Sequence, residues 1–172
     1  MTSDKIHIRP ACLDDAETIV QFNSAMALET EHRLLDLSTL RSGTLAVLES
    51  PEYGFYLVAE LPEVSGRKPV GQLMITYEWS DWRNGLFWWI QSVYVAPDRR
   101  GLGVFRALHD HIVTKAKSDP RVCGIRLYVE RQNYRAQSVY QRVGLLPSVY
   151  AVYEQDFVLG HPSVTEMNKE LP

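Results

Sequence analysis

The stretch Pro97-Asp98-Arg99-Arg100-Gly101-Leu102-Gly103-Val104-Phe105 holds the residue types best suited to chemistry. Before it, Ile90, Val93 and Val95 read as the end of a strand. After it, Val104, Leu108, Ile112 and Ala116 recur every fourth residue, the spacing of one helix face. Glycine carries no Cβ, so Gly101 and Gly103 let the backbone come close to a ligand. A helix start offers unpaired N–H donors and the positive end of its dipole. Together these make a seat for a diphosphate, with charge added by Arg99 and Arg100. The same glycines also serve a plain tight turn, so the turn alone decides little. Two familiar phosphate loops fail on spacing. A P-loop needs four residues between its glycines and then Lys-Ser or Lys-Thr, and the dinucleotide fingerprint needs a third glycine where Arg106 stands.

A second stretch runs from Val129 through Glu130, Asn133, Ala136 and Tyr140 to Gly144 and Leu145. Asn133 is placed to cap a helix and Gly144 to stop it. Asn133 and Tyr140 are seven apart, about two helical turns, so they share a face. Taken alone, Asn133 is a plain cap and Tyr140 a core aromatic.

Taken together, the two stretches resemble the GNAT superfamily of N-acetyltransferases. The first resembles its acetyl-CoA signature, Arg/Gln-x-x-Gly-x-Gly/Ala after a strand and a proline. Arg100-Gly101-Leu102-Gly103-Val104-Phe105 follows it except at the last place, where Phe105 replaces Gly or Ala. That ring is expected to turn into the core beside Leu108. In the second stretch Asn133, Ala136, Tyr140 and Gly144 match, and Leu145 replaces the usual Phe.

The resemblance implies an α/β (α+β) fold. Its sheet would be mixed, mostly antiparallel and twisted, with six to seven strands, splayed in the middle and flanked by about four helices. Acetyl-CoA would be co-substrate, with no metal. Its pantetheine arm would pair with the strand segment Val93-Tyr94-Val95, and its diphosphate would rest on Arg100 to Phe105. Asn133 would contact the arm. Tyr140, beside the cofactor, would protonate the leaving thiolate. The acceptor would be an amine attacking directly with both substrates bound, so Cys12 and Cys123 are not nucleophiles. A homodimer is an assembly the resemblance allows.

A protonated amine must lose a proton before it attacks. Family branches use a glutamate at positions that here hold Gln91 and Tyr128, neither of which is a carboxylate. Glu78, and with it Asp81, is the next candidate base, both flanking the Trp79/Trp82 hairpin. Glu29 and Glu31, at the end of the first helix, are candidates for the acceptor side together with Asp81. A water relay is the alternative, and each acid also reads as an ordinary surface carboxylate.

The positioning elements follow from period and punctuation. Lys5 to Arg9 alternates as a strand that Pro10 ends. Asp14 and Asp15 stand where they would cap a helix carrying Ala16, Ile19, Val20 and Met26. A second helix spans Leu37 to Glu49. Phe55 to Glu60 and Val70 to Tyr77 read as strands, with Pro62 to Pro69 as a turn. Asn84-Gly85 signals a hairpin. Most of the four tryptophans between Trp79 and Trp89 are expected to pack inward, with one or two walling the acceptor pocket. Ile125 to Val129 is a strand, and Val149 to Phe157 has strand composition. Residues 1–158 read as one N-acetyltransferase domain, and 159–172 as a loosely ordered tail.

The 172 residues suffice for one domain with a sizeable core, at 45% hydrophobic and 23% charged. No apolar run approaches a membrane span or a secretory signal. The two cysteines match no metal spacing, so a cytoplasmic protein with reduced thiols is expected. Net charge is −3, unevenly spread. From Arg99 to Arg142 there are ten basic residues (Arg99, Arg100, Arg106, Lys115, Lys117, Arg121, Arg126, Arg131, Arg135, Arg142) against Asp110, Asp119 and Glu130. That segment is +7 and the remainder −10. A polyanionic ligand suits the first. A cationic acceptor, whether small molecule or peptide amine, suits the second. The basic residues are not interleaved with exposed-looking aromatics, which argues against nucleic acid. Two other readings remain: a non-catalytic acetyl-CoA-binding regulatory module, and an α/β domain that binds another nucleotide or only a partner.

Overall fold

Five strands lie side by side in chain order, β1 to β5, in a computed structural model that describes residues 6–64 and 66–158. β1 (His7–Pro10), β2 (Phe55–Glu63), β3 (Gly66–Ser80) and β4 (Gly85–Val95) pair antiparallel, and β5 (Val122–Leu127) joins β4 in parallel. Helices α1 (Ala16–Glu31) and α2 (Leu37–Glu49) precede β2, α3 (Val104–Ser118) joins β4 to β5, and α4 (Tyr134–Arg142) follows β5. This is the mixed, mostly antiparallel α/β class expected, with five strands rather than six or seven among the described residues.

The missing strand is the expected one at Val149 to Phe157. Those residues form no strand, and Val149, Tyr150, Val152, Tyr153 and Phe157 are exposed. Strand composition produces a strand only where a neighbouring edge accepts its ladder. The expected tail 159–172 lies outside the described residues.

The core lies between the sheet and α3. Leu57, Leu73, Ile75, Trp88 and Ile90 meet Val104, Leu108, Ile112 and Ala116, the four residues spaced along one helix face. Burying each of the large aliphatic side chains stabilises the fold by about 1.5–3 kcal/mol. On the opposite face a smaller cluster of Ile19, Val47 and Tyr56 seats α1 and α2. There Gln72 Nε2 donates to Asn23 Oδ1 of α1 at 2.9 Å and to Ser92 Oγ of β4 at 3.2 Å, a buried polar seam that registers the helix on the sheet.

Three local expectations change. The turn expected over Pro62–Pro69 shrinks to a tight hairpin, because Glu63 pairs with Gly66 and both prolines sit within strands. Pro69 is tolerated beside a bulge, where the register shifts after Ala59 and leaves Val70 unmatched. Asp15 does not cap α1; it is buried, and its carboxylate takes two hydrogen bonds from Arg9 at 2.7 and 2.9 Å and one from the Cys12 N–H at 2.8 Å. Of the tryptophans only Trp88 is fully buried (5% exposed), while Trp79 and Trp82 are exposed (60% and 84%) and Trp89 is half-buried. The reason is the 3-10 turn Asp81–Arg83 at the hairpin tip, which lifts Trp82 clear of the sheet. No helix among the described residues is long and apolar enough to cross a membrane.

Candidate active site

β4 and β5 pair only as far as Ile90 and Leu127, yet β4 runs on to Val95. The strands therefore part at this point. The cause is local to β4: the register with β3 shifts between Met74 and Ile75, pairing them with Ser92 and Ile90 and leaving Gln91 as a bulge. Bulges bend a strand and end pairing beside functional sites. Beyond it the β5-facing edge of Ser92 to Val95 has no ladder partner among the described residues; apart from the Val95 carbonyl, which accepts from Arg100 Nε, its groups are open to an added chain.

At the far end of β4 comes the glycine turn. Pro97–Arg99 forms a 3-10 turn, and Gly101 and Gly103 adopt φ of 80° and 86°. Only glycine takes those angles cheaply. A Cβ built on either glycine would meet nothing within 4 Å, so the space before the loop is clear. Gly103 is the N-cap of α3 and brings no capping side chain, which leaves the first-turn N–H groups to an outside acceptor. The residues thus fit a diphosphate. Leu102 is exposed and Val104 is buried in the core.

Arg100 is already engaged. Its Nε donates to the Val95 carbonyl at 2.9 Å and its other nitrogen to Glu29 Oε2 at 2.6 Å. Its guanidinium lies 5.4 Å from the Tyr94 ring, and the Tyr94 hydroxyl donates to Glu29 Oε1 at 2.8 Å. Burial works to raise the Glu29 pKa, but the bonds from Arg100 and Tyr94 outweigh it and hold the carboxyl below its ordinary value. Glu29 thus links the glycine turn to α1 through Arg100.

Phe105 does not turn into the core as expected. It is half-buried, with its ring 5.6 Å from Tyr140 and 6.0 Å from His109. The site before the loop stays open because the ring points along α3 toward α4. Asn133 caps α4, its Oδ1 accepting from the Ala136 N–H at 3.0 Å. At the other end Leu145 N–H donates to Tyr140 and Gly144 N–H to Gln141, with Gly144 at φ 89°, a Schellman stop. The Tyr140 hydroxyl makes no hydrogen bond to a described residue, and burial raises its pKa above the usual 10, so it is protonated at neutral pH.

The two positions lacking a carboxylate touch each other. The Tyr128 hydroxyl donates to Gln91 Oε1 at 3.0 Å, and Gln91 Nε2 donates to Thr76 Oγ1 at 2.8 Å. The Tyr128 ring packs 5.9 Å from Trp89. Burial raises the Tyr128 pKa, and the negative charges of Glu154 and Glu31 raise it further. Glu78 joins the same cluster, accepting from Trp89 Nε1 and from Arg126 at 2.9 and 3.1 Å. Taking a proton would cost it one of those bonds. Asp81 is not brought in; it sits at the hairpin tip, where it accepts from the Trp82 N–H, about 20 Å of strand from Gln91.

Sequence reading missed Arg126, whose guanidinium lies 3.5 Å from the Phe87 ring as it holds Glu78. It also missed the Glu29–Arg100 pair. Neither has a local signal, since each joins residues 48 and 71 positions apart.

A search of curated proteins finds no significant match. Solved structures do match. A possible acetyltransferase from Clostridium difficile 630 is 41% identical, with a TM-score of 0.82 over 90% of this chain and 99% of that one. A ribosomal-protein-alanine N-acetyltransferase from Brucella melitensis biovar Abortus 2308 is 19% identical, with a TM-score of 0.67 over 88% and 99%. An aminoglycoside N-acetyltransferase AAC(6')-Iy in complex with CoA is 11% identical, with a TM-score of 0.69 over 88% and 95%. The latter two share the fold. The family model described as Acetyltransferase (GNAT) family matches residues 19–145, from the first turn of α1 to the stop of α4. With most of its length matched and both signature stretches inside the match, the chain belongs to the acetyltransferase (GNAT) family.

Proposed function

We propose that the chain moves the acetyl group of acetyl-CoA to a primary amine by direct attack in a complex that holds both. One observation carries this reading: the pairing of β4 with β5 stops at Ile90 while β4 continues to the uncapped, glycine-led start of α3. An amide-bearing arm is the chemistry that completes the free edge at Val93, Tyr94 and Val95. Paired phosphates are the chemistry that completes the turn from Arg100 to Phe105. Both needs arise at the end of one strand, and CoA meets both.

Acetyl-CoA supplies an acetyl group activated as a thioester. Backbone N–H groups of the free β4 edge polarise its carbonyl where charge develops. Asn133 borders the arm at the head of α4, and Tyr140 on the same face donates its proton to the departing sulfur. Holding the amine beside the thioester supplies much of the acceleration.

A cationic acceptor is supported by the −10 balance outside residues 99–142 and by the field of Glu31 at Tyr128. Glu31 is the acid proposed for the acceptor. Glu29 serves the cofactor turn instead, and Asp81 lies apart. Glu78 is a base only if it releases Arg126 or Trp89. Water held beside the neutral Gln91–Tyr128 pair is the other route for the proton.

The test is incubation with acetyl-CoA and a panel of polyamines, lysine peptides, aminoglycosides and neutral amino acids, reading free thiol and acetylated product by mass. Cationic amines should turn over best. Better turnover of neutral or anionic acceptors would remove the charge argument. Gln91 and Tyr128, standing where a carboxylate base would, favour a second reading as a binding module. Tight CoA binding with no thiol released for any amine would establish it.

A further inference from the structure

Phe105 stands where the family signature has Gly or Ala, and its surroundings assign it a task no small residue performs. We propose that Phe105 is a positioning residue for Tyr140: its ring anchors α4 to the first turn of α3 and so fixes the place of the Tyr140 hydroxyl. This rests on the reading of Tyr140 as the proton donor.

α4 is thinly held. None of its nine residues is fully buried. Among the described residues, the hydrogen bonds of its side chains and caps all stay within residues 130–145. Neither core cluster includes an α4 side chain. The ring contact of Tyr140 with Phe105, at 5.6 Å and 60°, reaches across to α3. Phe105 is braced in turn by His109 one helical turn on, 6.0 Å away and 4% exposed. His109 lies on the face of α3 that also buries Leu108 and Ile112. A row of rings thus runs from the packed face of α3 outward to the acid.

A segment with so little buried surface opens locally at low free energy. Offset and tilted aromatic pairs add stability beyond the area they bury, so losing one matters most where few other contacts exist. Misplacing a catalytic group by about 1 Å costs roughly 10²-fold in rate. Phe105 also belongs to the α3 turn whose N–H groups face the cofactor's phosphates. The ring therefore joins the cofactor seat to the donor through one residue.

The experiment compares Phe105→Ala, Phe105→Leu, Tyr140→Phe and the Phe105→Ala/Tyr140→Phe double variant in the full chain. Three quantities are read: turnover with the best amine of the panel, CoA affinity by calorimetry, and hydrogen exchange over residues 134–142. Phe105→Ala should lower kcat by about 10²-fold, leave the Kd for CoA within about threefold and speed exchange over 134–142. Phe105→Leu should restore most of the turnover and protection. In the Tyr140→Phe background, Phe105→Ala should add little further loss, because both act on one step. Unchanged exchange in Phe105→Ala, or full additivity with Tyr140→Phe, overturns the positioning role alone. A loss of CoA affinity as large as the loss of kcat places the ring in the cofactor seat and overturns it too. Undiminished turnover of Tyr140→Phe overturns the donor reading and the positioning role with it.

Discussion

Arg100 and Glu29, 71 positions apart in the chain, meet at 2.6 Å and tie the turn before α3 to the last turns of α1. Arg100 also holds the Val95 carbonyl, so one side chain fixes both the end of β4 and the start of the glycine turn.

Removing this strut should loosen the cofactor seat without touching the core. Arg100→Ala loses both bonds and should weaken CoA binding about tenfold, near 1.4 kcal/mol. Glu29→Gln keeps the bond to Val95 and should change the Kd by less than about threefold. Calorimetry with CoA measures both. Equal losses would mean that the ion pair, rather than the Val95 contact, organises the turn.

Arg9, Asp15 and Glu60 predict how the fold responds to acid. Arg9 donates to both carboxylates, at 2.7–2.9 Å, and His7 lies 3.2 Å from Glu60. Burial alone would raise the pKa of Asp15 and of Glu60. For Asp15 the bonds from Arg9 and Cys12 reverse that, and for Glu60 those from Arg9 and His7, so both lie below their ordinary values. Their contribution is complete above the unfolded pKa values of about 4 and is lost as pH falls through the lowered folded values. Thermal melts should therefore hold level from pH 7 to about 5 and drop below about 4. Asp15→Asn, which leaves Arg9 short of a partner, should cost about 3 kcal/mol at pH 7 and flatten the acid slope.

The elements that sequence revealed are those whose signals are local. α2 falls at Leu37–Glu49, where Pro51 and Gly54 follow, and α3 carries the four apolar residues at spacing four on its buried face. Asn133 and Gly144 bracket α4 as cap and stop. The hairpin signalled by Asn84-Gly85 is there, but Asn84 alone takes a left-handed φ, 44°, closing the 3-10 turn, and Gly85 already begins β4. The errors arose where the deciding partner is distant. Asp15 looks like a cap until Arg9 folds back onto it. Pro69 looks like a turn residue until the bulge opposite Ala59 and Glu60 absorbs it. Glu78 looks unpaired until Arg126 arrives from β5. No periodicity encodes those meetings.

Tyr140 gives the third prediction. Its raised pKa keeps the hydroxyl protonated to higher pH than an exposed tyrosine. A donor is active in its protonated form, so turnover should persist through neutral pH and fall only above about 10. Tyr140→Phe should lower kcat by about 10²-fold or more and remove that alkaline limb, with CoA affinity little changed. A pH profile of kcat for both proteins measures this. An alkaline limb that survives in the variant would belong to another group.

Gly103 gives the fourth. Its φ of 86° disfavours any residue with a Cβ, by about 1–2 kcal/mol. Gly103→Ala should therefore lower the melting temperature by about 2–4 °C per kcal/mol. A Cβ there would touch no protein atom within 4 Å, so the packing of α3 against the sheet should survive. The methyl group would occupy the open space at the loop where the CoA phosphates are proposed to rest. The rise in melting temperature on adding CoA should thus shrink or vanish in Gly103→Ala. Gly43→Ala serves as the control, since Gly43 lies in α2 with nothing within 4 Å of a built Cβ, and it should leave the CoA shift intact. A full CoA shift in Gly103→Ala would mean that the phosphates rest elsewhere. The start of α3 would then be a tight turn and nothing more.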